Sequence, residues 1–136
     1  MDPRIPMSLT SGHAYYFRIH FFWTNQTAAV TLFLTNRVDD GAKFHLNGME
    51  AGNLRMLPGP AFFDTLSQGI PPGGDATANE VVQIDSTYLR SGDNVLAVSV
   101  HQNATNSDDI VFGSALTALL PICPAITVQP QAQSNC

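Results

Sequence analysis

Charge is what this sequence has least of. Only 12% of its 136 residues are Asp, Glu, Lys or Arg, against roughly 25% in an ordinary soluble domain. Lys43 is the sole lysine, and Arg4, Arg18, Arg37, Arg55 and Arg90 are scattered rather than clustered. With a net charge of −5, this excludes the basic footprint of a nucleic-acid binder or of a protein drawn to an anionic membrane surface. No apolar run approaches the roughly 18 residues of a helical membrane span. Cysteine is scarce: Cys123 and Cys136 both lie in the C-terminal tail. They cannot brace the body of a domain, and no CxxC pair offers a metal site. They either bridge each other or belong to a neighbouring unit. His13, His20, His45 and His101 show no HxH or HExxH spacing, which excludes the common zinc motifs. There is no nucleophile elbow for acyl transfer. The stretch Met1-Asp2-Pro3-Arg4-Ile5-Pro6 has neither the basic nor the apolar region of a signal peptide. Any export signal is therefore expected outside this chain.

What is present is alternation. Apolar residues make up 44% of the chain, and nothing holds a helical period for a dozen residues. In 15–23, Tyr15, Phe17, Ile19, Phe21 and Trp23 fall on one side. Tyr16, Arg18, His20 and Phe22 fall on the other, as a strand between core and solvent requires. The same reading puts Val30, Leu32 and Leu34 inward over 29–35, and Phe44 and Leu46 inward over 42–47, with Lys43, His45 and Asn47 outward. Val82 and Ile84 follow in 80–85, Leu96, Val98 and Val100 in 94–102, and a last strand near 110–119. Asp39-Asp40-Gly41 and Asn47-Gly48 read as tight hairpin turns, with glycine supplying positive φ. The Gly- and Pro-rich stretch from Pro58 to Asn79 reads as a long loop anchored at its base. About seven strands and no helix predict one all-β antiparallel sandwich or jelly roll over residues 1–120. The Pro- and Gln-rich residues 121–136 form a linker or the first strand of a following domain.

Three stretches in order carry a resemblance: Tyr15-Tyr16-Phe17-Arg18; Asp39-Asp40-Gly41 running through Leu46-Asn47-Gly48; and Gly92-Asp93-Asn94-Val95-Leu96-Ala97-Val98-Ser99-Val100-His101-Gln102. The third leads into Ser107-Asp108-Asp109-Ile110-Val111-Phe112. Together they resemble the galactose-binding-domain-like jelly-roll modules of large multidomain secreted bacterial proteins, over roughly residues 14–118. The tail from Cys123 to Cys136 resembles the opening strand of an immunoglobulin-like repeat. His45 and Ser99 stand where such modules carry Tyr and Glu, and their usual N-terminal strands have no counterpart here. The resemblance implies an extracellular, non-catalytic accessory module of carbohydrate-binding type, with a sandwich edge left open.

Two constellations are candidate sites. His101, Gln102, Asn103, Ser107 and Asp108, closing the core strand and its loop, are expected to form a ledge that bonds a glycan. The alternative is that His101 and Gln102 pin that loop to a neighbouring strand. Asp39, Asp40, Asp108 and Asp109 supply the clustered oxygens that a calcium ion prefers. The alternative at Asp39-Asp40 is an Asx-turn bonding the backbone of its own hairpin. Trp23 and Phe62-Phe63 are the aromatics available for stacking, and Trp23 falls on the core-facing side. The competing functional expectation is structural: strand addition at the open edge, by a neighbouring domain, by the tail or by a second copy, builds a homo-oligomer or filament.

Overall fold

A strand with one apolar face needs a second sheet to bury that face against. A computed structural model, which describes residues 14–107 and 109–122, shows seven strands that supply both layers. They are β1 (Tyr15–Trp23), β2 (Thr31–Asp39), β3 (Gly41–Leu46), β4 (Met49–Leu54), β5 (Glu80–Ile84), β6 (Gly92–His101) and β7 (Val111–Leu119). One sheet has the order β1-β6-β3-β4 and the other β5-β2-β7. Every pairing is antiparallel. The chain is an all-β sandwich, and the described residues contain no helix.

Between the sheets lie Leu32, Leu34 and Val38 of β2, Phe44 and Leu46 of β3, Ile84 of β5, and Leu96, Val98 and Val100 of β6, all buried. Tyr15, Phe17, Phe21 and Trp23 pack against that core more loosely. Asn47 (φ 52°) and Gly48 (φ 89°) make the two-residue turn between β3 and β4, with Leu46 opposite Met49. The Asn47 side chain also ties this turn to β6. Its oxygen accepts from the Val95 N–H at 2.9 Å, and its amide donates to the Tyr88 carbonyl at 2.7 Å.

Three expectations are corrected. Asp39-Asp40-Gly41 is no hairpin turn, because β2 and β3 belong to different sheets and the chain crosses between layers at Asp40. Gly41 is not among the residues with positive φ; it is small because Ser67 and Met56 press against it. Ile19 has the inward register but remains 62% exposed. Lys43 does face away from the core, yet it is only 1% exposed, because residues 55–79 fold back over that part of the sheet.

The two long sides of the sandwich differ. On one, β4 lies against β5. On the other, among the described residues, β1 pairs with β6 alone and β7 with β2 alone, so these two are edge strands, as β4 and β5 are on the first side. Phe17 and Phe112 stack across this side, with centroids 4.4 Å apart. Beside them an apolar groove of about 240 Å³ opens between Ile19, Phe21, Leu96 and Leu116. The tail residues 123–136, His13 and Asp108 lie outside the described residues.

Candidate functional site

The outer face of the four-stranded sheet is a grid set by its registers. One row reads Arg18, Ala97, His45 across β1, β6 and β3. The next reads Tyr16, Ser99, Lys43. Small side chains occupy the middle strand and larger ones its neighbours, so the face is troughed along β6. Pro60 and Ala61 of the covering loop close the far wall, leaving a groove of about 590 Å³ lined by Tyr16, Arg18, His45, Ala97 and Ser99.

Hydrogen bonds at Gly59, Thr65 and Ser67 tie the covering loop to the sheet. Lys43 Nζ donates to Glu50 Oε1 at 2.9 Å and to the Gly59 carbonyl. The Ser67 N–H donates to the Gln102 carbonyl at 2.9 Å. His101 Nδ1 lies 2.8 Å from the Thr65 carbonyl, and Nε2 lies 2.9 Å from Ser99 Oγ. A carbonyl only accepts, so Nδ1 carries the proton and the Ser99 hydroxyl donates to Nε2. Burial pushes the His101 pKa down, with the Lys43 charge adding to it and the Thr65 bond opposing. The ring is therefore neutral, as this pairing demands. A serine bonded to a histidine suggests a nucleophile, but Ser99 sits in a central strand whose N–H groups are spent on β1 and β3.

The lining side chains divide by their bonding. Ser99 is engaged with His101, and neighbouring Lys43 with Glu50. Tyr16, Arg18 and His45 make no side-chain hydrogen bond or ion pair with any described residue. Tyr16 is 64% exposed. A phenol, a guanidinium and an imidazole thus border one groove with their polar atoms unspent.

The residues singled out from the sequence lie elsewhere. His101 and Gln102 are 1% and 2% exposed. His101 holds the 55–79 loop, and the Gln102 amide donates to the Asp109 carbonyl at 2.9 Å, holding the following loop. The Asn103 N–H donates to Asp40 Oδ2 at 2.8 Å, and Ser107 Oγ lies 3.4 Å from Asp109 Oδ1. None of these four lines the groove.

Asp39, Asp40 and Asp109 do gather, at the end of the sandwich where the chain crosses between sheets. The Asp40 carboxylate bonds the Asn103 N–H rather than a hairpin of its own. Burial pushes the Asp39 carboxyl up to about 8, with the hydrogen bond and charge of Asp40, then Asp109, adding to it. Among the described residues no three His, Cys, Asp or Glu side chains are arranged to hold a metal ion. The cluster relieves its charge by keeping a proton on Asp39.

Compared with protein-family models, curated proteins and solved structures, the chain matches none.

Proposed function

We propose that this is a non-catalytic, carbohydrate-binding accessory module of a secreted bacterial protein, and that it holds a sugar in the groove on its four-stranded sheet. The observation that carries this reading is the set of unspent polar groups around a small-residue floor. The Tyr16 ring offers a flat apolar surface with a polar tip, while Arg18 and His45 offer hydrogen bonds to hydroxyls from either side. Such groups gain from a ligand without first breaking bonds within the chain. Among the described residues no carboxylate lines the groove, whereas glycoside hydrolysis runs on a pair of them. The resemblance of the strands to galactose-binding-like modules points the same way.

A glycan array followed by affinity electrophoresis tests the proposal. Tyr16→Ala should weaken binding about tenfold or more, corresponding to about 1.4 kcal/mol. Phe22→Ala, on the same side of β1 but outside the groove and 73% exposed, should leave binding unchanged. Equal loss in both variants, or saturable binding in neither the parent nor Phe22→Ala, counts against the groove.

A second reading, assembly, is favoured by one observation: two of the four edge strands, β1 and β7, flank the same apolar groove. Unpaired N–H and C=O groups beside exposed Ile19 form a template for an added strand. If assembly is the role, the mass from light scattering should rise with concentration. It should fall back to monomer in Ile19→Lys or after deletion of residues 122–136. A constant monomer mass in all three proteins would remove this reading.

A further inference from the structure

The charges on the outer face of the four-stranded sheet are nearly all accounted for. Glu50 is 2.9 Å from Lys43, and Asp93 is 2.9 Å from His20. Arg18, between these two pairs, has no counter-charge among the described residues. It stands at the rim of the groove beside Tyr16, with His45 on the far side of Ala97. Two strand spacings separate those backbones, roughly 10 Å, and only the methyl of Ala97 rises between them.

We infer that the groove selects acidic glycans, whose sugars carry a carboxylate, and that Arg18 reads that carboxylate. The inference rests on the carbohydrate reading above and narrows its ligand class. A guanidinium presents parallel N–H groups that match the two oxygens of a carboxylate, and such charge-assisted pairs are the stronger hydrogen bonds. The net charge of −5 opposes an anion only at long range. Beyond about 8 Å salt screens that field, and inside the groove the uncompensated charge is Arg18. Of the described carboxylates on this face, Glu50 and Asp93 are already held by their own partners. A polyphosphate backbone is a poor fit, because its binding grows with the number of cations engaged and one arginine stands here. A single acidic sugar ring lying on Ala97 and Ser99, with one face on Tyr16 and its carboxylate toward Arg18, leaves His45 to bond a ring hydroxyl from the far side, so that each of the three unspent groups is used.

The test compares polyuronides (polygalacturonate and alginate) with the same polymers after methyl esterification, which keeps the backbone and removes the charge. Binding is measured by calorimetry for the full chain, Arg18→Gln and Tyr16→Ala, at low and raised salt. The parent should prefer at least one acidic polymer over its ester by about tenfold, and the preference should shrink with salt. Arg18→Gln should melt like the parent and bind acid and ester alike, the preference being gone. Tyr16→Ala should weaken both forms together. Equal affinity for acid and ester, a preference that survives Arg18→Gln, or binding to neutral glycans alone overturns the acidic selectivity while leaving the carbohydrate reading intact. Binding to neither polyuronides nor neutral glycans overturns both.

Discussion

Gly41→Ala should cost about 2 kcal/mol of stability, and Gly41→Val more, although neither residue would be strained by the backbone. A Cβ built at Gly41 lies 2.5 Å from Ser67 Cβ, 3.0 Å from Met56 Sδ and 3.1 Å from the Leu54 carbonyl oxygen. Methionine can yield, but Ser67 Cβ cannot. Its backbone is tied to β6 through the Gln102 carbonyl, and its hydroxyl donates to Gly69 at 2.8 Å. Overpacking of this kind costs about 1–3 kcal/mol, and it rises with each added methyl. For a chain of this size, 2 kcal/mol should lower the melting temperature by roughly 6–12 °C. Gly48 provides the contrast. Its φ is +89°, with nothing within 4 Å of its Cβ, so Gly48→Ala should cost about 1 kcal/mol through conformation alone. Urea denaturation of Gly41→Ala, Ser67→Gly and the double variant separates the causes. Removing the Ser67 Cβ should recover most of the Gly41→Ala loss. Additive losses would show that the contact is not what demands glycine.

Stability should fall as pH rises from about 4 to about 8, and Asp39 should be the cause. Its carboxyl is raised from 3.8 to about 8 in the folded chain. Within that window the folded state keeps a proton that the unfolded state has released. The derivative of unfolding free energy with pH is then negative, at most about 1.4 kcal/mol per pH unit. The contribution is complete below the unfolded value and is lost as pH climbs through the folded one. His101 slopes the opposite way, since its pKa is lowered and the unfolded chain takes up the extra proton in acid. Comparing the parent with Asp39→Asn therefore isolates the carboxyl. The amide can donate as the protonated acid does but cannot ionise beside Asp40 and Asp109. Asp39→Asn should match the parent near the acid end and be the more stable above about pH 8, the gap opening as pH rises through that window. Parallel stability curves for the two proteins would show that Asp39 ionises normally. Running both with calcium and with chelator separates a proton from a cation. Identical curves are expected, whereas a calcium-dependent rise in the parent at high pH would put an ion in the proton's place.

The alternation of 15–23 was enough to write β1 and its two faces, because side-chain direction in a strand depends only on local backbone geometry. The Asn47-Gly48 turn was legible for the same reason, since its dihedrals are a property of two residues. Gly41 shows the limit of local reading. Asp-Gly suits a hairpin turn, but here the flanking strands join different sheets, and the glycine answers to Ser67, distant in sequence. Lys43 shows it again: its outward register was visible, while its burial depended on where the 55–79 loop came to rest. His101 and Gln102 drew attention as polar residues ending a core strand, yet that same loop takes the His101 ring and the next takes the Gln102 amide N–H, while Gln102 Oε1 is buried with no partner among the described residues. The groove was hidden for a related reason. Tyr16, Arg18 and His45 could each be placed on an outward face, but nothing local says that β6 lies between β1 and β3. Strand order is settled by which apolar faces bury each other best, a property of the whole chain. Only once it is settled do Ala97 and Ser99 become the floor of a groove and Arg18 its uncompensated charge.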